Sequence, residues 1–526
     1  MKYMSRLSTA VLLSLLMLSC AVRQQSDVAQ VSTAAQKGGW SSKFVSLNPD
    51  GGLRYHPDEK GNVIPDFSRV GYHQGNKEIP VLPVVKTIRP PGSGSSQEII
   101  QRAIDEVSAL QPDKAGFRGA ILLKKGDYLI PGSLHIRAGG IVLRGEGDEA
   151  GGTRLVATGK GKRSLLQVTG TGSLVERPGT RTPLTDAFVP TGAMSVRVAA
   201  AAIFKAGDRI ILYRPGTTRW ITDIRMNQIE AREGTKQWEP QQYDLHFERV
   251  ITSINGNEVF LDNPVVMEME SRYGGGEIYG YSFEGRISEV GVENICFESE
   301  YAGEEDEDHG WIAVDFSKVE NGWVKNVTSR YFGFGCVSLG KSVKQVTVQD
   351  SKCLDAKSRI WGGRRYSFNN DGQLNLFRDL QTTEGRHDFV TGAMVLGPNV
   401  FYNCTATNAH SDIGPHHRWS AGTLYDNIST DGEINVQDRG NWGTGHGWAG
   451  VTQVLWNCQA KKATVQSPWA SGRNYSIGLQ GQQAAGRLAG RPVGEWEGLN
   501  QPGLQPASLY LSQLKARKKE ALEERL

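Results

Sequence analysis

The chain has 526 residues, ample for a large core, and a formal net charge of +3, too small to imply a nucleic-acid partner. Its 63 glycines suit a turn-rich β protein better than a helical one. None of its six cysteines forms the Cys-x-x-Cys pair typical of structural zinc.

Residues 1–20 begin with basic Lys2 and Arg6, continue as a mostly apolar run from Leu7 to Leu18 and end on Ser19-Cys20. That order is a signal peptide whose apolar run is too short to span a bilayer. Met17-Leu18-Ser19-Cys20 resembles a bacterial lipobox. Cys20 is therefore the expected lipidation site, the cell envelope the expected location, and the lipid anchor the expected membrane attachment; plain secretion is the alternative. Residues 21–40, rich in Gln, Ser, Thr and Ala, read as a flexible tether.

Residues 41–169 read as an N-terminal cap followed by first rungs. Ser95 followed three residues later by Glu98, ahead of apolar positions at helical spacing, is a capping box opening an amphipathic helix. Gly119-Ala-Ile-Leu-Leu, Gly126-Asp-Tyr128 and Ile141-Val-Leu-Arg-Gly145 then form strand–turn–strand units. This order resembles the start of the pectate-lyase-like right-handed β-helix superfamily. The resemblance implies an all-β fold, a right-handed parallel β-helix with a helical N-terminal cap. It is weak for chemistry, because that superfamily includes lyases, hydrolases and phage tailspikes.

Residues 170–285 interrupt the ladder and read as a β insertion with a hairpin at Asn255-Gly-Asn257. Its Trp220, Trp238, Tyr243 and Tyr273 either pack the insertion onto the coil or stack on sugar rings. Residues 286–490 hold the main rungs. A polar residue followed by an apolar one recurs at Asn294, Asn326, Gln345, Asp379, Asn403, Asn427 and Asn457, in steps of 32, 19, 34, 24, 24 and 30. Such periods, with β-branched runs between turn residues, predict a stacked solenoid. Cys404 and Cys458 share one apolar slot of this repeat and Cys296 lies one position beyond, which reads as buried thiols rather than a disulfide framework. The acidic run Glu304–Asp308 offers oxygen ligands for Ca2+, a possible cofactor, without EF-hand spacing, and otherwise reads as a solvated loop. Residues 491–526 end in a predicted helix, from Leu509, that caps or docks on the last rung.

The chemistry concentrates between Arg364 and Trp448, where five of the ten histidines lie. His309-Gly-Trp311, His387-Asp-Phe389, His417-Arg-Trp419 and His446-Gly-Trp448 repeat a histidine with an aromatic two positions later; Arg330 and Arg364 open the same pattern. Strand alternation places i and i+2 on one face, so a groove-lining column of His and Arg with aromatic sugar platforms is expected. The alternative is an inward aromatic stack with neutral histidines. Such a groove suits β-elimination on a uronic-acid polysaccharide: Arg holds the carboxylate, His takes the C5 proton, and Tyr or a second His protonates the leaving oxygen. The expected catalytic set is His387 or His417 as base, Arg364 as carboxylate neutraliser, and Tyr366 or His446 as acid. Arg365, Arg418, His410, His416, Trp419 and Trp448 are the expected substrate contacts. A glycoside hydrolase using Asp388 and Asp412, or a non-catalytic glycan-binding protein, is the alternative; Asp438 lies in the same region.

Overall fold

The computed structural model describes residues 39–523. The signal peptide, Cys20 and nearly all of the tether lie outside the described residues. Three lines of parallel strands wind into a parallel β-helix. Successive strands of one line include Gly119–Leu123, Ile141–Gly147, Val319–Arg330, Leu376–Thr383, Ser420–Asp426 and Gly450–Trp456. The chain bends at each rung into a second line, through Gly126–Ile130, Thr153–Ala157, Thr405–Thr407 and the far halves of the long strands. The third line runs through Arg163–Thr169, Gly310–Ser317, Gly335–Leu339, Phe368–Asn370, Phe389–Thr391 and Asp412–Pro415.

Register stacks like on like. Leu143, Val292, Val324, Val348, Phe377, Phe401, Tyr425 and Leu455 occupy one inward column, all fully buried. Phe377, Phe401 and Tyr425 stack at centroid separations of 4.7 and 5.5 Å.

The bend between the first two lines is a left-handed residue. Asn294, Asn326, Asp350, Asp379, Asn403, Asn427 and Asn457 all have φ between 50 and 57°, a conformation Asn and Asp tolerate better than other side-chain-bearing residues. Their side chains bond from rung to rung: Asn326 Nδ2 donates to Asn294 Oδ1 at 2.9 Å and Asn457 Nδ2 to Asn427 Oδ1 at 3.0 Å. Gln345, expected in this column, belongs to another left-handed bend with Glu289, Asn321 and Leu374; Asp350 takes its place. The residue after each bend points inward, so the Cys404 and Cys458 thiols are buried and free, as is Cys296. Cys336 and Cys353, however, form a disulfide. It links the ends of two strands in different lines, which the spacing of the cysteines does not show.

Helix Gln97–Ser108 closes the open end of the first rungs with Ile100, Ala103, Ile104 and Val107. Its N-cap is Ser96, without a side-chain cap, and Ser95 Oγ accepts from Gln97 N–H at 3.2 Å, so the capping box does not form. Residues 39–83 are not a cap. Trp40 pairs with Leu504 beside the last rungs, Phe44 packs on Tyr475 at 5.1 Å, Gly71 N–H donates to Leu374 and Tyr72 packs on Trp323. The segment thus runs as a strap along the coil's flank, against the direction of winding, and enters the first rung at Val84–Ile88. Gly71 has φ 75° and a Cβ there would lie 2.5 Å from Thr347 Oγ1; only glycine fits. Helix Leu509–Glu523 lies on the same flank rather than over the coil's end, with Leu509 and Tyr510 buried beside Leu424, Val454 and Trp456.

Between Arg163–Thr169 and Ile287–Ser299 the chain builds an antiparallel sheet from Val175–Glu176, Arg209–Arg214, Leu245–Asn255, Glu258–Leu261 and Glu277–Ser282. Trp220, Trp238, Tyr243 and Tyr273 are buried in its junction with the coil and are not sugar platforms. Buried Glu248 fastens the junction, accepting two bonds of 2.7 Å from Arg286 with Lys344 2.9 Å away. Among the described residues no helix is long and apolar enough to cross a membrane.

Candidate active site

At one edge of the third strand line lies a cleft of about 630 Å³. Tyr366 and His387 reach it from the segments leading into Phe368–Asn370 and Phe389–Thr391. Asp412 opens strand Asp412–Pro415, and His416 and His417 follow it. Arg439, Trp442 and His446 come from the glycine-rich loop between strands Ser429–Val436 and Gly450–Trp456, and Arg386 precedes His387. His387, His416, Asp412 and Arg439 form the buried floor; Tyr366, Arg386, His417 and His446 are half-buried, and Trp442 is exposed at the rim.

The histidine rings touch. His387 and His416 are 4.4 Å apart between centroids, His416 lies 5.1 Å from both His417 and His446, and His417 and His446 are 4.9 Å apart. His387 Nδ1 is 2.7 Å from the Asp412 carbonyl oxygen. A carbonyl only accepts, so Nδ1 carries the proton and the unpartnered, buried Nε2 is left as a lone pair. The Tyr366 hydroxyl shares a 3.1 Å hydrogen bond with His416 Nε2. In His417 and His446 it is Nδ1 that is buried without a partner, so Nε2 is the nitrogen left toward the open cleft.

Burial keeps these rings neutral. It holds His387 down to about 4 and His446 to about 4, and holds His417, with His446 and Arg418 adding, down to about 3. His416 is driven furthest below the ordinary imidazole value, by burial and then by His387 and Arg439. Burial raises the Tyr366 phenol, while Arg386 beside it pulls the other way. Burial alone would raise Asp412, but Arg439 and His387 bring it down to about 2. Asp412 is the one carboxylate among the cleft-lining residues, and it is ion-paired with Arg439.

Tyr366, His387, His416, His417 and His446 thus converge, but not as one column. His417 and His446 do stack, whereas Arg330 shares its register with Glu298 and Leu354 on the second line. His309 bonds Ser299 Oγ and the Lys357 carbonyl, away from the cleft. Trp419 and Trp448 are fully buried. Trp419 sits edge-on against Trp220 at 4.8 Å, and Trp448 donates to the Ile224 carbonyl; neither is a sugar platform. The cause is local backbone: Arg418, Trp419 and Gly447 have φ of 53, 64 and 58°, so strand alternation fails between each histidine and its tryptophan.

Arg364 turns outward to Glu307, with Nη2 to Oε2 at 2.8 Å, and does not line the cleft. Arg365 is buried, donating to the Ser358 and Glu384 carbonyls. His410 pairs with Glu384 and Arg418 donates to Thr444; neither lines the cleft. Asp388 is buried against Ser367, and Asp438 is held by Arg491. The two-carboxylate site of a hydrolase is therefore not assembled from Asp388 and Asp412. Arg386, Arg439 and Trp442 are the cleft residues that the sequence pattern missed. The adjacency of Arg386 to His387 and the run of glycines from Gly440 to Gly447 around Trp442 are the signals that pointed to them.

The acidic loop does not fit Ca2+. Glu304 pairs with Lys357, Glu307 with Arg364 and Lys162, and Asp306 accepts backbone N–H groups of Ala302 and Asp308. Among the described residues no group of three or more His, Cys, Asp or Glu side chains is placed to hold a metal ion.

No protein-family model and no curated protein matches the chain. Among solved structures, the chain is similar to the tailspike protein of Pseudomonas phage LKA1, with 14% identity, 77% of this chain and 74% of that one covered, and a TM-score of 0.33. It is also similar to an alginate lyase from Paenibacillus sp. str. FPU-7, with 9% identity, 80% and 99% coverage and a TM-score of 0.37. The tailspike protein of E. coli bacteriophage HK620, solved with a pentasaccharide, gives 10% identity, 87% and 62% coverage and a TM-score of 0.37. The class of protein defined here, a parallel β-helix, stands on the strand pairing itself.

Proposed function

We propose that the cleft is the active site of a carbohydrate-active enzyme, a lyase that cleaves a uronic-acid polysaccharide by β-elimination. The observation that carries this reading is the pairing of neutral bases with cations: His417 and His446 present neutral imidazoles beside Arg386 and Arg439, around a Tyr366 hydroxyl bonded to His416.

The roles follow from exposure. Arg386, half-buried at the rim, binds the substrate carboxylate, and Arg439 on the floor adds positive potential where enolate charge develops. His417 takes the C5 proton through Nε2; His387 is too enclosed to reach the substrate and sets the floor. As a buried neutral imidazole, His417 is a weak base in the empty cleft, and an incoming carboxylate raises its proton affinity by opposite charge. Tyr366 gives its proton to the leaving oxygen as the C4–O bond breaks and the C4–C5 double bond forms. After the product leaves, the His417 imidazolium gives up its proton to water and the Tyr366 phenolate takes one back from water, which restores both groups. In the same proposal the enzyme works at the cell envelope, held by lipid on Cys20.

The test is ultraviolet absorbance during incubation with a panel of uronate polysaccharides, with and without chelator. Absorbance rises on at least one polymer, and His417→Ala and Tyr366→Phe each slow it by roughly 10²–10⁴-fold. A flat trace with new reducing ends overturns elimination.

A further inference from the structure

The strand register of the third line continues beyond the strands into their turns. Leu339 pairs with Asn370, Asn370 with Thr391 and Thr391 with Pro415. One residue further, Gly340, Asp371, Gly392 and His416 occupy successive rungs; beyond them the register slips, for Lys344 pairs with Gln373 and Gln373 N–H bonds the Val343 carbonyl, so that Lys341–Val343 bulge opposite Gly372. Backbone bonds of 2.8 Å from Asp371 N–H to Leu339 and from His416 N–H to Thr391 hold this order into the turns. Lys341 and His417 each follow one of the aligned residues Gly340 and His416, which stand three rungs apart, about 14 Å at the usual strand spacing. The turns of the two intervening rungs contain Gly372, Gly392 and Ala393, none with a side chain larger than a methyl group. Small residues at these turns leave room for a trough leading away from the cleft.

At its far end lies a second cavity of about 240 Å³, walled by the insertion at His246 and floored by Asp371 and Gly372, with Lys341 at its lip. Lys341 is exposed, and among the described residues it enters no ion pair. Asp371 accepts from Asn369 Nδ2 at 3.2 Å. A Cβ at residue 392 would lie 2.0 Å from Asp371 Oδ1, so glycine there is what lets the carboxyl lie across the floor. A free cation, a carboxyl with unused acceptor capacity and a floor without side chains suit a chain of hydroxylated, acid-bearing units. An extended pyranose chain advances by roughly one rung spacing per sugar, so it can follow the coil axis in step with the rungs.

We propose that the trough is a run of sugar subsites continuous with the cleft, in which Lys341 binds the acidic group of a glycosyl unit about three sugars from the bond that is cut and Asp371 bonds hydroxyls in between. This rests on the reading of the cleft as glycan-cleaving, and it makes the protein a binder of long acidic chains rather than of their ends.

The experiment compares wild type, Lys341→Ala, Lys341→Arg and Ala393→Trp on acidic oligosaccharides of increasing length and on the polymer. Lys341→Ala raises KM about tenfold on long substrates with kcat within about twofold, and leaves the shortest cleavable substrate unaffected; Lys341→Arg restores KM. Ala393→Trp, which puts an indole in the trough, abolishes the advantage of length. Equal KM values for all four proteins at every length overturn the trough while leaving the lyase reading intact. If wild type eliminates nothing, calorimetry with the same oligosaccharides separates the two ideas. Affinity that grows with length in wild type and not in Lys341→Ala sustains the trough and sinks the lyase; no binding at all sinks both.

Discussion

His387 differs from its neighbours because its proton is fixed. The Asp412 carbonyl holds Nδ1–H, so the ring is neutral in one tautomer, and burial keeps it so down to about pH 4. The folded pKa lies below that of the unfolded chain, near 6.5, so the unfolded chain takes up the proton first. Stability from this group is therefore complete above about pH 6.5 and falls as pH drops through the window to 4, by on the order of 3 kcal/mol. Asp388 and Asp426, pushed up by burial to about 6 and about 7, act in the opposite sense, losing stability as pH rises. Urea midpoints at several pH values isolate the histidine: His387→Gln flattens the acid decline, and parallel curves for variant and wild type would remove His387 from this role. The sequence showed the concentration of histidines but not their arrangement. Clustering is a property of composition along the chain, whereas the direction of His417, Trp419, His446 and Trp448 is set by left-handed backbone at Arg418, Trp419 and Gly447. A reading based on strand alternation sends those tryptophans to the wrong side.

The left-handed bend is the element that defines the rung. Each Asn or Asp there supplies a tolerated positive φ, and several also supply a hydrogen bond to the rung above or below. Asn427 does both, and additionally donates to the Ala507 carbonyl next to the C-terminal helix at 2.9 Å. Asn427→Gly keeps the backbone and loses the bonds, costing about 1–2 kcal/mol; Asn427→Val loses both and costs about 1–2 kcal/mol more. Chemical denaturation of the pair separates conformation from ladder. This column was legible in the sequence because its chemistry repeats at every rung. The sequence pattern does not separate Gln345 from Asp350, because two left-handed bends occur per rung in this stretch and a polar residue before an apolar one suits either. The disulfide Cys336–Cys353 was not legible at all, since the contact arises only when two lines of the coil meet.

At the scale of the whole molecule, stacked rungs form a one-dimensional lattice in which each contacts its neighbours, and such arrays fray from their ends. The strap joins the last rungs to the first and couples them. Gly71→Val, which drives a side chain into Thr347, lifts the strap; the expected outcome is one urea transition in the wild type, coincident by circular dichroism and tryptophan fluorescence, and two in the variant. Coincident curves in the variant would mean that the rungs need no such tie. Residues 41–83 carried no period by which to recognise a strap, because an irregular segment takes its shape from the surface it covers. Its direction also fixes an order of events during synthesis. Trp40 bonds Gln501, 461 residues later, so the strap's first residues cannot find their place until residues beyond 500 have left the ribosome. Until residues beyond 500 exist, the apolar flank that includes Leu424 and Val454 lacks the cover of Leu504, Leu509 and Tyr510. A chain that stops before residue 500 is thereby marked by exposed hydrophobic surface.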